Sequence, residues 1–293
     1  YAGRKQLKTV VIAEEIGGQS AVSETIYNWI GTKAISGTDL AKNLRSHIEE
    51  YTGEKGTLTL LIGKRANKVT KIDTGFSIEL ADGTMLSAKT VLVSTGSRHR
   101  KLEVPGAKEF DNKGIMYCAT CDGPLFTDMP VAVIGGGNAA LEAAAQLTQY
   151  ATSVTLLHRS AEFRADPITI EQVLKDPKVT AIKNMELLSV EGDQFVEKLS
   201  YKIKGEETVH TIPVSGVFVE IGQLPNTELV LGLADFDEFS RIKVDPYNQR
   251  TSVSGLWAAG DCTDVRYHQN NIAVGDAIKA IEDIYLWIKR GSQ

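Results

Sequence analysis

Val131-Ala132-Val133-Ile134-Gly135-Gly136-Gly137-Asn138-Ala139-Ala140 is the stretch on which the reading of this 293-residue chain turns. Four consecutive apolar residues predict a strand buried on both faces, as in a parallel sheet. The glycines end it in a tight turn, and the Ala- and Leu-rich run over 138–150 reads as a helix. Val154-Thr155-Leu156-Leu157 supplies the next strand, so the segment is a strand–helix–strand unit. Within it, Gly135-x-Gly137-x-x-Ala140 fits the G-x-G-x-x-G/A fingerprint. Gly135 permits the turn, Gly137 lets a pyrophosphate approach the backbone, and Ala140 lets helix and strand pack closely. The helix start at Asn138 offers free N–H groups and partial positive charge to phosphates. A glycine-rich turn without ligand is the plainer reading, and the complete unit favours the dinucleotide.

The end of the second strand selects the nucleotide, because an acid there suits a ribose 2′-hydroxyl and arginines suit a 2′-phosphate. Here it reads Leu157-His158-Arg159-Ser160, with Glu162 close by and Arg164 following. Arg159 and Arg164 could clamp a phosphate in bidentate fashion or be two solvated surface residues. NADPH is the favoured expectation, with NADH open.

Outward from this unit the pattern repeats. Strands are expected over 7–13, 58–62, 68–74 and 76–80, with Asp82-Gly83 as a hairpin signal, and over 90–94, ending at Thr95-Gly96. A helix over 39–51 carries Leu40, Leu44 and Ile48 on one face, with Thr38 or Asp39 as its cap. Val104-Pro105-Gly106 reads as a linker, and further strands end at Gly222 and at Gly260-Asp261. The last helix spans 271–289. The expected fold class is α/β, with two dinucleotide-binding, Rossmann-like, three-layer domains. One is inserted into the other: residues 1–106 and 239–293 form the split domain, and 107–238 the inserted one. The length suits two domains.

Composition is that of an ordinary globular protein, 42% hydrophobic and 24% charged. A net charge of -5 leaves no footprint for nucleic acid, and no apolar run approaches a membrane span. The three cysteines, Cys118, Cys121 and Cys262, are too few and too odd in number for a secreted disulfide scaffold. A reducing, cytoplasmic setting is expected.

Cys118-Ala119-Thr120-Cys121-Asp122-Gly123-Pro124 stands just before the nucleotide strand. Two intervening residues let the sulfurs meet if the segment turns as at a helix start, which also favours the thiolate. Asp122 is placed by sequence to move a proton during disulfide exchange. Half of a zinc site is the rival, but zinc wants four ligands, and no second C-x₂-C or H-x₃₋₅-H is present. No metal is expected. Cys262 reads as a buried thiol.

Cys118 to Gly123, Gly135 to Ala140 and Gly260-Asp261 together resemble the low-molecular-weight thioredoxin reductases and, equally, the flavoprotein portion of the alkyl hydroperoxide reductase flavoenzyme. Gly17-Gly18-Gln19, Thr95-Gly96, Gly222-x-x-Pro225-Asn226 and Gly260-Asp261-Cys262-Thr263 lean to the second branch. His158-Arg159-x₄-Arg164 leans to the first, although Ser160 replaces the second of its usual arginines. The resemblance implies FAD in the split domain, NAD(P)H in the inserted one, a homodimer, and a thioredoxin-like or glutaredoxin-like protein substrate. It implies that Cys121 takes electrons from the flavin, Cys118 attacks the partner disulfide, and Asp122 is the acid/base. Glu14 falls at the position that binds the FAD ribose. Gln19, Asn28, Thr95, Gly96 and Asp261 fall at flavin-binding positions, and His268-Gln269-Asn270 lead the last helix to the flavin ring. The family's first strand and its own glycine-rich loop would stand before Tyr1, with Tyr1-Ala2-Gly3-Arg4 as the tail of the following helix. Because nucleotide and cysteines share the inserted domain, a domain rotation during turnover is expected.

Overall fold

A computed structural model describes residues 1–22, 26 and 28–291, apart from the side chains of Val22, Thr120 and Cys121. In chain order the elements are β1 (Thr9–Ala13), α1 (Gly37–Glu49), β2 (Leu58–Ile62), β3 (Ala66–Ile72), β4 (Gly75–Leu80), β5 (Met85–Ala88), β6 (Val91–Val93), β7 (Ser97–His99), β8 (Ile115–Met116), α2 (Ala119–Asp122), β9 (Pro130–Gly135), α3 (Asn138–Leu147), β10 (Ser153–Leu157), α4 (Pro167–Leu174), β11 (Val179–Ile182), β12 (Met185–Gly192), β13 (Val196–Ile203), β14 (Val209–Pro213), β15 (Gly216–Glu220), β16 (Gln223–Pro225), β17 (Leu256–Ala258) and α5 (Asn270–Arg290). They divide into two compact units, Tyr1–Arg98 with Leu224–Gln293, and His99–Gln223. The boundaries lie away from 106/107 and 238/239 because of packing. Leu102 and Val104 join the core of the inner unit, whereas Val230, Leu233 and Ala234 join that of the outer one.

The inner unit is built on a parallel sheet in the order β11-β10-β9-β15-β8. Its central strand β9 is buried on both faces, as the unbroken apolar run requires. Val131 and Val133 point to one face and meet Leu141, Ala144 and Leu147 of α3 together with Phe218. Ala132 and Ile134 point to the other and meet Leu199 and Tyr201. That second face is covered by the antiparallel sheet β12-β13-β14 in place of a helix. Each fully buried Val or Leu contributes about 1.5–3 kcal/mol, so this three-layer core is well supplied.

In the outer unit, β1 and β2 pair in parallel and α1 lies between them in sequence. The helix starts two residues before the expected point, because Ser36 and neither Thr38 nor Asp39 is its cap, accepting from the Asp39 amide at 3.0 Å. Residues 1–7 form a turn: the Leu7 amide donates to the Ala2 carbonyl, the Gln6 amide to Gly3, and Gln6 takes φ +57°. β3-β4-β5 form an antiparallel sheet, and β6 pairs in parallel with β17. Phe76, Leu80, Ile242 and Leu256 form this unit's main core, and α5 lays Ala280 and Ile284 on Trp257.

Candidate active site

The three loop glycines serve three different ends. A Cβ at Gly135 would lie 2.3 Å from the Glu220 carbonyl oxygen and 2.7 Å from Ala140 Cβ, so this glycine lets strand and helix close on each other. A Cβ at Gly136 would strike the His158 ring at 2.2 Å. Nothing lies within 4 Å of a Cβ at Gly137. No side chain caps α3, so its first amides face that open space. The donor set and the room fit a dinucleotide pyrophosphate. Asn138 and Arg164 hold the neighbouring loop: Asn138 Oδ1 accepts from the Asp166 amide at 2.8 Å, and the Arg164 amide donates to the Gly136 carbonyl.

His158 is buried, stacks on Phe163, and places Nε2 3.0 Å from the Glu162 carbonyl. Burial lowers its pKa, and the charges of Arg164, Arg159 and Lys183 lower it further. Its ring lies directly under Gly136. The Arg159 and Arg164 side chains are exposed, with no ion pair among the described residues. Lys183 lies beside them, as does Lys204, whose Nζ donates to the Arg159 carbonyl at 2.7 Å. Sequence reading missed both lysines, which stand just past the ends of β11 and β13. Gly222 ends the strand region with φ +95°, its carbonyl accepting from the Arg100 amide.

Cys118, in the same unit, is disulfide-bonded, and Cys262 is free and buried. The expected role of Cys121 falls on a side chain outside the described residues. Asp122 accepts a hydrogen bond from the Cys118 backbone amide, and its own amide donates to the Cys118 carbonyl at 3.0 Å. Burial raises the Asp122 pKa, which suits a group that carries a proton. Ala119 and Phe126 are packed into the α3-side core, and Gly123 faces Tyr150 and Leu147. Gly123 thus reaches the C-terminal end of α3, whereas Cys118, just past β8, is level by strand register with Glu220 and Gly135.

The outer unit gathers polar residues from distant segments. Gln19 Nε2 donates to the Ser97 carbonyl and, at 3.0 Å, to Ser97 Oγ. Asn226 bonds Thr95 in both directions, and its amide donates to the Gly96 carbonyl. Asn28 Nδ2 donates to Gln269 Oε1 at 2.7 Å, Ser20 Oγ to Asn270 Oδ1 at 2.9 Å, and Asn271 Nδ2 to the Asn28 carbonyl at 2.6 Å. His268 Nδ1 lies 3.6 Å from Asp261 Oδ1, just after Gly260 with φ +77°. The start of α5 carries no side-chain cap, so its amides remain as donors beside this polar cluster, which fits a flavin's ring oxygens. Glu14 stands apart, exposed at the end of β1 with Arg65 at 3.8 Å. Ser20, Ser97, Asn226 and Asn271 are partners that sequence reading did not assign.

One α/β unit thus holds both a glycine-rich loop of dinucleotide-binding form and the disulfide at Cys118. Residues 1–277 match the model of the pyridine nucleotide-disulphide oxidoreductase family, and the chain belongs to that family of FAD- and NAD(P)H-dependent oxidoreductases. It is similar to the "NADH dehydrogenase" of Bacillus subtilis (strain 168), 41% identical over 96% of the chain and 54% of the relative. It is also similar to an alkyl hydroperoxide reductase subunit of Staphylococcus aureus (strain Mu50), 35% identical over 99% of the chain and 56% of the relative. The chain thus spans about half the length of these relatives. Among solved structures, Lactococcus lactis thioredoxin reductase matches with a TM-score of 0.80 at 29% identity, covering 98% of this chain and 93% of that one. T. acidophilum thioredoxin reductase matches with a TM-score of 0.77 at 33% identity, covering 98% and 92%. No helix among the described residues is long and apolar enough to cross a membrane.

Proposed function

We propose that the chain is a thioredoxin-disulfide reductase-type enzyme, passing electrons from NAD(P)H to a protein disulfide through the Cys118–Cys121 pair. One observation carries the reading: the disulfide at Cys118 has a protonatable Asp122 against it and lies in the same unit as the dinucleotide loop. Electrons pass from nucleotide to disulfide by way of the flavin. Bound FAD supplies the two-electron relay between them. Gly137 and the first amides of α3 hold the pyrophosphate, and Arg159 with Arg164, supported by Lys183, favours the 2′-phosphate of NADPH. Asn28, Gln269, Asn270 and the α5 amides hold the flavin ring, with Gln19, Thr95, Gly96 and Asp261 around it. Cys118 attacks the partner disulfide, and Asp122 returns a proton to the leaving thiolate. Nucleotide and disulfide reach the flavin in turn, which calls for rotation of the inner unit, and the working form is a cytoplasmic homodimer.

The acceptor has a second reading, a peroxiredoxin-reducing system, favoured by the similarity to the alkyl hydroperoxide reductase relative over nearly the whole chain. Replacing Cys118 by Ser is expected to abolish reduction of thioredoxin, glutaredoxin and peroxiredoxin-linked disulfides while NAD(P)H still bleaches the flavin absorbance. Undiminished protein-disulfide turnover by the variant would overturn the assignment, and the wild type's rate on each acceptor selects between the two readings.

A further inference from the structure

Glu220 is the last residue of β15 and stands in register with Gly135, the first glycine of the dinucleotide loop. Phe218, two residues earlier on the same face, lies in the α3-side core, so the Glu220 side chain leaves the sheet toward the first turns of α3. There it meets the Glu142 carboxylate, the charged group that acts on it from α3. Its other neighbours, β9 and β8, present Pro130–Gly135 and Ile115–Met116, which carry no charge. Neither the Glu220 nor the Glu142 side chain has a hydrogen bond or ion pair among the described residues. A half-buried carboxyl without a partner, facing a second carboxylate at a site built for a dianionic pyrophosphate, is costly when ionised. Burial and Glu142 push the Glu220 pKa up to about 7. A carboxylic acid kept neutral near neutral pH is a hydrogen-bond donor.

We propose that Glu220 is a positioning residue of the nucleotide site that binds the dinucleotide in its protonated form, donating its O–H to an oxygen of the bound nucleotide, and weakens that binding when it ionises. The proposal rests on the reading of Gly135–Ala140 as the nucleotide loop. No bond is made or broken: above its own pKa, Glu220 takes up a solvent proton as the nucleotide binds. Nucleotide affinity is thereby tied to pH.

The test is isothermal titration of the full chain with NAD+ and NADP+ from pH 6 to 8, in two buffers of different ionisation enthalpy. For the wild type, Kd rises by about tenfold across that range, and proton uptake accompanies binding at the alkaline end. Glu220→Gln keeps a donor without a titrating proton, so it binds with a flat profile near the wild type's tightest Kd. Glu220→Ala loses the donor, and is flat but weaker. Glu142→Gln moves the wild-type midpoint to lower pH. The proton of the NADP+ 2′-phosphate cancels in each comparison with the wild type, and NAD+ lacks it. An equal pH slope in wild type and Glu220→Gln would overturn the role of Glu220 while leaving the nucleotide site in place. No binding of either nucleotide at any pH would instead overturn the nucleotide reading itself.

Discussion

The inner and outer units offer their proposed ligands opposite kinds of site. In the inner unit the nucleotide grip is one continuous segment, strand β9, loop and helix α3, backed by strands on both sides of β9. In the outer unit the expected flavin contacts come from Gln19, Asn28, Thr95, Asp261 and Gln269, segments joined by side-chain hydrogen bonds. The supporting strands differ in the same sense: Val133 of β9 is fully buried, whereas Val10 of β1 is 46% exposed. A local grip draws its strength from the core, and a distributed one from the fold that brings its pieces together.

Substitutions at the glycines sharpen this contrast most. Gly135→Ala forces a Cβ onto the Glu220 carbonyl at 2.3 Å and Gly136→Ala one onto the His158 ring at 2.2 Å. Each is expected to destabilise the inner unit by about 1–3 kcal/mol or more, seen as an earlier unfolding transition in denaturant. Gly137→Ala meets nothing within 4 Å, so stability holds while the nucleotide Kd rises by about tenfold or more. A loss of stability there, with Kd unchanged, would show that the open space is structural.

Core truncation comes next. Val133→Ala should cost about 2–3 kcal/mol and Val10→Ala well under 1 kcal/mol, measured by the same unfolding. Equal costs would erase the difference between the two units.

The pH dependence of stability follows from Glu220. Its carboxyl ionises near 4.5 when unfolded and near 7 in the fold. Between those values the folded state holds the extra proton, so stability falls as pH rises and levels off above about 7. Glu220→Gln should therefore stabilise the protein by about 1–3 kcal/mol at pH 8 and by little at pH 4. A gain at pH 4 equal to that at pH 8 would rule out ionisation as the cause.

The smallest effect belongs to the nucleotide's far end. Arg159→Ala and Arg164→Ala are expected to weaken NADPH several-fold more than NADH, by direct titration. Equal weakening would make the two arginines general electrostatic contacts.

What the sequence makes legible follows the same division. The strand–loop–helix of residues 131–147 could be read because each signal is local: an apolar run, glycines, then an Ala-rich helix. The outer cluster could be read only in part, because the Ser20–Asn270 and Asn28–Gln269 bonds join residues more than two hundred positions apart. The motif His158-Arg159-x₄-Arg164 names His158 in the sequence, but its burial against Phe163 and beneath Gly136 does not show there. The β12–β14 sheet escaped notice because β13 breaks the alternation: Leu199, Ser200 and Tyr201 are buried in succession, and Glu197 and Lys198 are both exposed. Glu220 reads in sequence as an ordinary strand-end acid, and only the structure sets it beside Glu142 and Gly135.

The most direct test of the disulfide's place in the electron path is an anaerobic titration of the full chain with NADPH, followed by flavin absorbance and free-thiol count. The wild type should consume about two equivalents per chain, one for the flavin and one for the disulfide, and Cys118→Ser about one. If wild type and variant consume the same amount and no thiols appear, the Cys118 disulfide is not an electron acceptor and the account is contradicted.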